Sequence, residues 1–521
     1  MPNIKQQYSD PTMNIVFDTI DKHKQAIVFA NTKNSAEKTA EEISKKIKQG
    51  NLENKKLAGQ ALNDLAQPTR QCKRLAHCLK KGVAFHHSGL TAKQKELIEE
   101  NFRKKTIKLI VATPTLAMGV DVPAFRVILK NLKRFGYRGM QYIPVLEYMQ
   151  MAGRAGRPKF DNRGEAVIIS TAEPQKDELT ERYIKGEPEP IFSKLAVEPV
   201  LRTYVLSLIA TDFTTTKKTI FDFFSKTFWA YQYADTAKLH AKIETILQML
   251  EEWELIIASE SSEKFSDFKS ALDIAAEDNK YKATILGKRV AELYIDPYTA
   301  HFFVEILQKA SSGKTIAFSF LQIIASTLEI RPQLRARVKD RDKIQEALLE
   351  FDDYLLVKEP SIYDPDYGEY ENAAKTALFM HAWIEEKSEE SLLEEYNIRP
   401  GEIKSKLDIA DWLIYCMEEI VRILQFRQLS PELRKLRARI KNGVKEELLP
   451  LLKFRGIGRA RARKLFRNSI RDVKAVKESD LMKLSQILGK NIAISIKKQL
   501  GQEVKEIKQN KRKGQISLRD Y

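Results

Sequence analysis

Lys108-Leu109-Ile110-Val111-Ala112-Thr113-Pro114-Thr115-Leu116-Ala117-Met118-Gly119-Val120-Asp121-Val122-Pro123 is the stretch on which the fold turns. An apolar run too short for a helix breaks into a loop of Thr, Pro, Gly and Asp. That is the pattern of a strand buried on both faces and ending in a polar loop. Ala26-Ile27-Val28-Phe29-Ala30-Asn31-Thr32 and Val83-Ala84-Phe85-His86-His87-Ser88-Gly89-Leu90 repeat it. Helical segments intervene, from Ser35 to Lys48 and from Thr91 to Phe102. Short apolar strands alternating with helices imply a parallel α/β sheet with its functional loops at the strands' carboxyl ends.

Downstream lies Gln150-Met151-Ala152-Gly153-Arg154-Ala155-Gly156-Arg157-Pro158. Two arginines three residues apart at a Gly-punctuated turn form a fork suited to phosphate oxygens. A fixed cation of this kind stabilises the charge that develops during phosphoryl transfer. Such a pair needs a loop that cradles the phosphates, GxxxxGK[ST] between a strand and a helix. The one GK[ST] here, Gly313-Lys314-Thr315, has Gln308 where the first glycine should stand and follows a helical pattern. Asp177-Glu178 opens a charged helix instead of ending an apolar strand, so it is not a magnesium-binding Asp-Glu box.

In order and spacing, the strand-end loops and the arginine turn resemble motifs IV, IVa, V and VI of superfamily 2 helicases. The wording HHSGL…ATPTLAMGVDVPA…QMAGRAGRP is similar to the Ski/Mtr-like branch, and most of all to archaeal Hjm-type DNA helicases. The resemblance runs over nearly the whole chain, and it places these motifs in the second of two RecA-like domains. It implies that Thr32, Ser88, Thr113 and Thr115 contact a nucleic-acid backbone, since hydroxyls and N–H groups bind phosphates without reading sequence. It also implies that Gly119 and Asp121 line a nucleotide site which Gln150, Arg154 and Arg157 complete. The first RecA-like domain, with its P-loop, is missing from the pattern. ATP and Mg would therefore need a separate polypeptide, and the chain alone is expected not to hydrolyse ATP.

At 521 residues the chain has room for about three to four domains. No apolar run approaches the roughly 18 residues of a membrane span, and the polar start from Met1 to Asp10 does not read as a signal peptide. Cys72, Cys78 and Cys416 are too scattered for a disulfide framework or a zinc site, and the histidines show no metal-ligand pairing. A reducing, cytoplasmic setting is the expectation.

The charge is uneven. Residues 431–521 hold 26 Lys and Arg against 9 Asp and Glu, a net of +17 out of the chain's +18. A basic domain at one end implies a polyanion partner. Within it, the Gly456-Ile457-Gly458 turn in Leu451 to Phe466 resembles a helix-hairpin-helix. Free N–H groups at such a turn hold phosphate, and Arg455, Arg459, Arg461 and Arg463 surround it with charge.

Three further segments carry expectations. Around 191–298, helices from Glu198 to Ile209, Thr216 to Phe228 and Thr236 to Trp253 precede the strand candidates Leu255–Ile257 and Tyr281–Leu286. This suggests a winged helix with a charged insertion near 259–278. From about Pro400 to Phe426, Ile403, Leu407, Ala410, Ile414, Met417, Val421 and Leu424 form an apolar stripe. Trp412 lies off that stripe beside Ser405, Asp408, Tyr415 and Glu419, as a base-stacking platform would. The resemblance makes this helix a ratchet along single-stranded DNA, with Lys404 as the basic partner of Trp412. Val127–Leu129 and Tyr142–Val145 read as strands flanking an aromatic turn at Lys133–Met140. The resemblance makes this hairpin a duplex-splitting wedge, with Phe135, Tyr137 and Met140 at its tip.

The chain ends Gln515-Ile516-Ser517-Leu518-Arg519-Asp520-Tyr521, similar to a peptide that plugs into a replication sliding clamp through Gln515, Leu518 and Tyr521. The expected architecture is an α/β RecA-like domain (1–190) followed by mainly α domains. These are a winged helix (191–298), a helical ratchet bundle (299–430) and a basic helix-hairpin-helix domain (431–505), with a flexible tail (506–521). The expected function is the C-terminal part of an ATP-dependent 3′→5′ DNA helicase acting on single-stranded and branched DNA in fork repair or recombination. An RNA helicase of the same branch and a non-catalytic DNA-binding subunit are the alternatives.

Overall fold

The computed structural model describes residues 4–48, 50–65, 67–136, 139–156, 161, 163–170, 172–233, 235–259 and 280–502. Arg157, Tyr137, the 260–279 part of the insertion, and the tail with Gln515, Leu518 and Tyr521 lie outside the described residues.

The three apolar runs become strands β1 (Ala26–Phe29), β2 (Val83–His86) and β3 (Leu109–Ala112). They join β4 (Arg126–Leu129) and β7 (Glu165–Ile168) in one parallel sheet of order β2-β3-β1-β4-β7. Every residue of β1 to β4 is buried. Continuous apolar runs are therefore what these positions require, except for Arg126. That buried guanidinium donates to Glu165 Oε2 and Asp18 Oδ2, both at 2.7 Å, and ties the Pro11–Asp21 helix to the sheet. Thr32 and Thr91 cap the helices Lys33–Lys46 and Ala92–Arg103. Each begins directly after its strand-end loop and fixes that loop's exit.

The hairpin differs from its sequence reading. Val127–Leu129 belongs to β4, deep in the parallel sheet, and the hairpin is built from the segment read as its turn. Strand β5 (Lys133–Gly136) pairs antiparallel with β6 (Gly139–Tyr142). Sheet burial claimed the apolar run, while the alternating, exposed sequence after it was free to fold back on itself.

Among the described residues a second core gathers buried side chains from Ala196 to Ile440 into one cluster. Its first part holds the helices Glu198–Ala210, Lys217–Ser225, Phe228–Tyr233 and Thr236–Glu252. A two-stranded antiparallel ribbon follows, β8 (Ile256–Ser259) with β9 (Lys280–Ala283). The strand read as Tyr281–Leu286 stops at Ala283, because the Thr284 hydroxyl accepts from Gly287 N–H at 3.0 Å and caps the helix Ile285–Leu293. The long helix Pro400–Ile423 buries its stripe from Ile403 to Val421, while Leu424 is its half-buried C-cap. The helix Ser430–Asn442, placed by charge in the basic domain, packs Leu433, Leu436 and Ile440 into this same core. The third core begins only at Val444 and ends at Ile496. The Gly313-Lys314-Thr315 decoy joins the helices Pro297–Ser312 and Ala317–Ala325 and meets no strand.

The Pro400–Ile423 helix starts against the sheet domain. Gly401 N–H donates to Gly89 O at 3.0 Å. A Cβ on Gly401 would lie 2.2 Å from Leu90 O and 2.5 Å from Ser88 O, both backbone atoms that cannot swing aside. Gly401→Ala is therefore expected to force the two domains apart, at a cost of about 1–3 kcal/mol and a few degrees of Tm. Thermal denaturation checks this, and an unchanged Tm would mean that the contact bears no load.

Candidate nucleic-acid and nucleotide sites

The carboxyl ends of β1, β2 and β3 open into one cavity of about 650 Å³. Thr32, Ser88, Thr113 and Thr115, scattered over more than eighty residues of sequence, all line it. Thr32 Oγ1 accepts from Ser35 N–H at 3.1 Å, which leaves its proton free to donate outward. Thr113 and Thr115 share a hydroxyl contact of 2.9 Å. Three cations also line the cavity, and each is already paired: Lys33 with Glu402, Arg134 with Glu147 and Arg399 with Glu37. The cavity therefore presents neutral hydroxyls backed by neutralised charge.

The hairpin stands at its rim. Asn31 Nδ2 donates to Lys133 O, and Arg134 binds Glu147 at 2.8 Å. Phe135 and Met140 are directly opposed across the ribbon and share one face. They are 81% and 63% exposed, a large apolar pair offered to solvent.

Beside this cavity, Arg154 extends its guanidinium over the loop after β3. Its Nη2 donates to Ala117 O at 2.5 Å, and its Nη1 lies 3.9 Å from the exposed Asp121 carboxylate. The turn is pinned to the sheet edge by Gly156 N–H to Ala124 O at 2.6 Å and Ala124 N–H to Arg154 O at 2.9 Å. Gly156 has φ +91° and Gly119 φ +83°, backbone that disfavours other residues. Gln150 is exposed on the helix Val145–Ala152. Arg154 and Asp121 are thus brought together beside Gly119, with Gln150 exposed on the helix that leads into the turn. Among the described residues no group of three or more His, Cys, Asp or Glu fits a metal ion.

The buried seam next to the cavity was not legible in sequence. Glu37, 2% exposed, receives Arg399 Nε at 3.1 Å and Arg74, while His87 Nε2 sits 3.1 Å away, off the line of a good hydrogen bond. Burial alone would raise the Glu37 carboxyl. His87 and the charges of Arg399 and Arg74 hold it below its ordinary value. Burial pushes His87 below its ordinary 6.5, so the imidazole is neutral, and its Nδ1 accepts from Gly89 N–H at 3.1 Å.

Trp412 and Lys404 sit in different settings on the long helix. Trp412 is half-buried, with its Nε1–H donated to Leu293 O at 3.2 Å. Glu419 and Tyr415, read as polar surface, receive Arg289 at 2.8 and 3.0 Å. This side of the helix thus meets the Ile285–Leu293 helix, a neighbour that periodicity cannot reveal. Lys404 is exposed and bridges Asp408 at 2.6 Å.

In the basic domain the Gly456–Gly458 turn forms, and no side chain caps the Arg459–Arg467 helix that follows. The four arginines part company. Arg455 is exposed, and Arg461 donates to Gly456 O. Arg459 donates to Lys387 O and lies over Trp383, while Arg463 forks onto Glu386 and Glu447. The last two hold the basic domain against the helical one.

His87 gives the seam a pH signature. Because its folded pKa is depressed, its contribution is complete above about 6.5 and is lost as pH falls below that value, where the unfolded chain takes up a proton that the folded one resists. Glu37 adds a loss only at lower pH, below its ordinary 4.5. Tm is expected to fall between about pH 7 and pH 5, and to fall less in His87→Gln. Equal slopes in the two proteins would contradict this assignment.

Two family descriptions match the chain: "Helicase conserved C-terminal domain" over residues 60–159 and "Archaeal helicase, domain 4" over residues 318–443. Relatives named ATP-dependent DNA helicase Hel308 align over nearly all of it. The protein of Pyrococcus horikoshii is 40% identical over 96% of this chain and 67% of its own length. That of Pyrococcus abyssi is 38% identical over 96% and 67%, and that of Methanocella arvoryzae 37% over 95% and 65%. Among the described residues no helix is long and apolar enough to cross a membrane. On the strength of a 40% identity that spans the sheet domain, the helical core and the basic end alike, the chain belongs to the Hel308 family.

Proposed function

We propose that this chain is the DNA-gripping, C-terminal part of an ATP-dependent 3′→5′ DNA helicase of the Hjm type, acting on single-stranded and branched DNA in fork repair or recombination. The observation that carries this reading is the convergence of Thr32, Ser88, Thr113 and Thr115 on one cavity, with the Phe135–Met140 pair at its rim. Hydroxyls donating to phosphates would hold one strand without regard to sequence, and the apolar pair would meet the last base pair of the duplex. Tyr137 would join that tip. The helices and ribbon from Glu198 to Leu293 would act as a winged helix, Pro400–Ile423 as the ratchet with Trp412 and Lys404, and the Gly456–Gly458 turn as a helix-hairpin-helix phosphate contact.

The nucleotide reading is a composite site. Gly119, Asp121, Gln150, Arg154 and Arg157 would form one wall. A P-loop and an Asp-Glu box, neither of which these residues contain, would supply the phosphate cradle and hold Mg. ATP hydrolysis there would supply the free energy, and Arg154 and Arg157 would stabilise charge on the transferred phosphoryl group. The fork geometry matters, so lysine is not an equivalent. The terminal Gln515, Leu518 and Tyr521 would dock on a sliding clamp in the cytoplasm.

The test is reconstitution. Alone, the chain is expected to bind single-stranded DNA and to show no Mg-ATP turnover. Mixed with a P-loop-bearing first RecA-like domain, it should gain DNA-stimulated turnover and strand separation. Arg154→Ala should lower that turnover by about 10³-fold or more and leave DNA binding by the isolated chain unchanged. Robust turnover by the chain alone would overturn the composite site.

A further inference from the structure

The cavity at the strand ends has a consequence for electrostatics. Lys33, Arg134 and Arg399 are each committed to a carboxylate, so a strand held there releases few counterions. Single-strand binding nevertheless draws most of its affinity from neutralised phosphates, so the unpaired charge must lie elsewhere along the strand's path.

Residues 1–430 are close to neutral, with 62 basic and 61 acidic side chains. Within them, 331–343 is an island of six cations (Arg331, Arg335, Arg337, Lys339, Arg341, Lys343) against Asp340 and Asp342. This segment walls a cleft of about 540 Å³ that also includes Lys375 and Asn397.

The wall is built in a definite way. Leu334 N–H donates to Thr376 Oγ1 at 2.9 Å, and Ala336 N–H donates to Asn372 Oδ1 at 2.7 Å. These acceptors lie one turn apart on the helix Tyr367–Ile384. The buried Lys375 between them donates to Arg335 O at 3.1 Å and pairs with Asp340 at 2.7 Å. The backbone is thereby stapled in an extended course. Alternation turns Leu334 and Ala336 onto the core, and Arg335 and Arg337 are exposed. Arg341 is neutralised by Glu371 at 3.0 Å. Among the described residues no ion pair takes up the Arg335 or Arg337 guanidinium, so the cleft carries two unspent charges on a held backbone, about 7 Å apart along the chain.

The cleft and the strand-end cavity are linked through the chain. Asn397 lines the first and Arg399 lines the second, so only two residues, about 7 Å of chain, separate them. The chain thus brings the hydroxyl-lined cavity near the Arg335 and Arg337 segment, with the neutralised Arg399 between them. We propose that Arg335 and Arg337 form a second phosphate-binding site, which takes the backbone of the same single DNA strand after it leaves the Thr32–Thr115 cavity. The proposal rests on the reading of that cavity as a single-strand site. Guanidiniums at i and i+2 of a backbone-stapled extended segment suit successive phosphates and leave the bases unread.

Salt-dependent binding of the full chain, read by fluorescence anisotropy, tests it. For a single strand of about 20 nucleotides, long enough to span both positions, Arg335→Ala/Arg337→Ala should weaken binding and reduce the slope of log K against log salt by about 1.4, or 0.7 per lost contact. A strand of about 5 nucleotides, confined to one position, should show a smaller change in slope. Lys55→Ala/Lys56→Ala, exposed cations on the far Leu52–Leu62 helix, should change neither. An unchanged slope on the long strand in the arginine variant overturns the second site and leaves the cavity reading intact. If the unaltered chain binds neither strand, both readings fall together.

Discussion

Glu37 is the residue on which the two halves of this molecule meet. It starts on the sheet domain's second helix, is all but inaccessible, and holds Arg399 at the foot of the long helix together with Arg74 of its own domain. A buried carboxylate is tolerable only if it is paired and hydrogen-bonded. Removing one partner from such a group costs about 3–5 kcal/mol. Because Arg399 answers a charge that cannot be left unpaired, the Pro400–Ile423 helix has one seat on the sheet domain. Gly401 and Gly89 make that seat close, backbone against backbone, on the loop that carries Ser88.

The loop whose Ser88 would offer a hydroxyl to a DNA phosphate is thus the loop on which the long helix stands. A displacement of one is felt by the other, since packed backbone contacts transmit small shifts as rigid-body movement. The seam gives a physical route by which motion of the sheet domain would carry the helix along. The other end of the helix is held differently. There Arg289 reaches Glu419 and Tyr415, and Trp412 reaches Leu293, so the helix is gripped at its foot by a charge and along its flank by a neighbouring helix.

The sheet was legible from the sequence because its signal is local: four-residue apolar runs followed by Thr, Ser and Gly are read from neighbours alone. The strand-end residues were legible for the same reason, and the sheet then brought Thr32, Ser88, Thr113 and Thr115 to one cavity. What sequence withheld was pairing at a distance. Val127–Leu129 looked like half of a hairpin until β1 and β7 claimed it, and Glu419 looked like solvent surface until Arg289 covered it. Arg459 and Arg463 counted as DNA charge in the composition, yet Lys387, Glu386 and Glu447 take them up. Conversely, the unspent Arg335 and Arg337 sit inside a stretch whose overall charge is nearly nil. Net charge locates a partner only after the internal ion pairs have been subtracted.

The strand-end cavity, and not merely the basic end, is the proposed seat of single-stranded DNA. Hydrogen–deuterium exchange of the whole chain with and without a single strand tests this most directly. Exchange should slow in the segments around Asn31–Asn34, Ser88–Leu90 and Thr113–Met118. Protection confined to residues 444–502, with those loops unchanged, would contradict it.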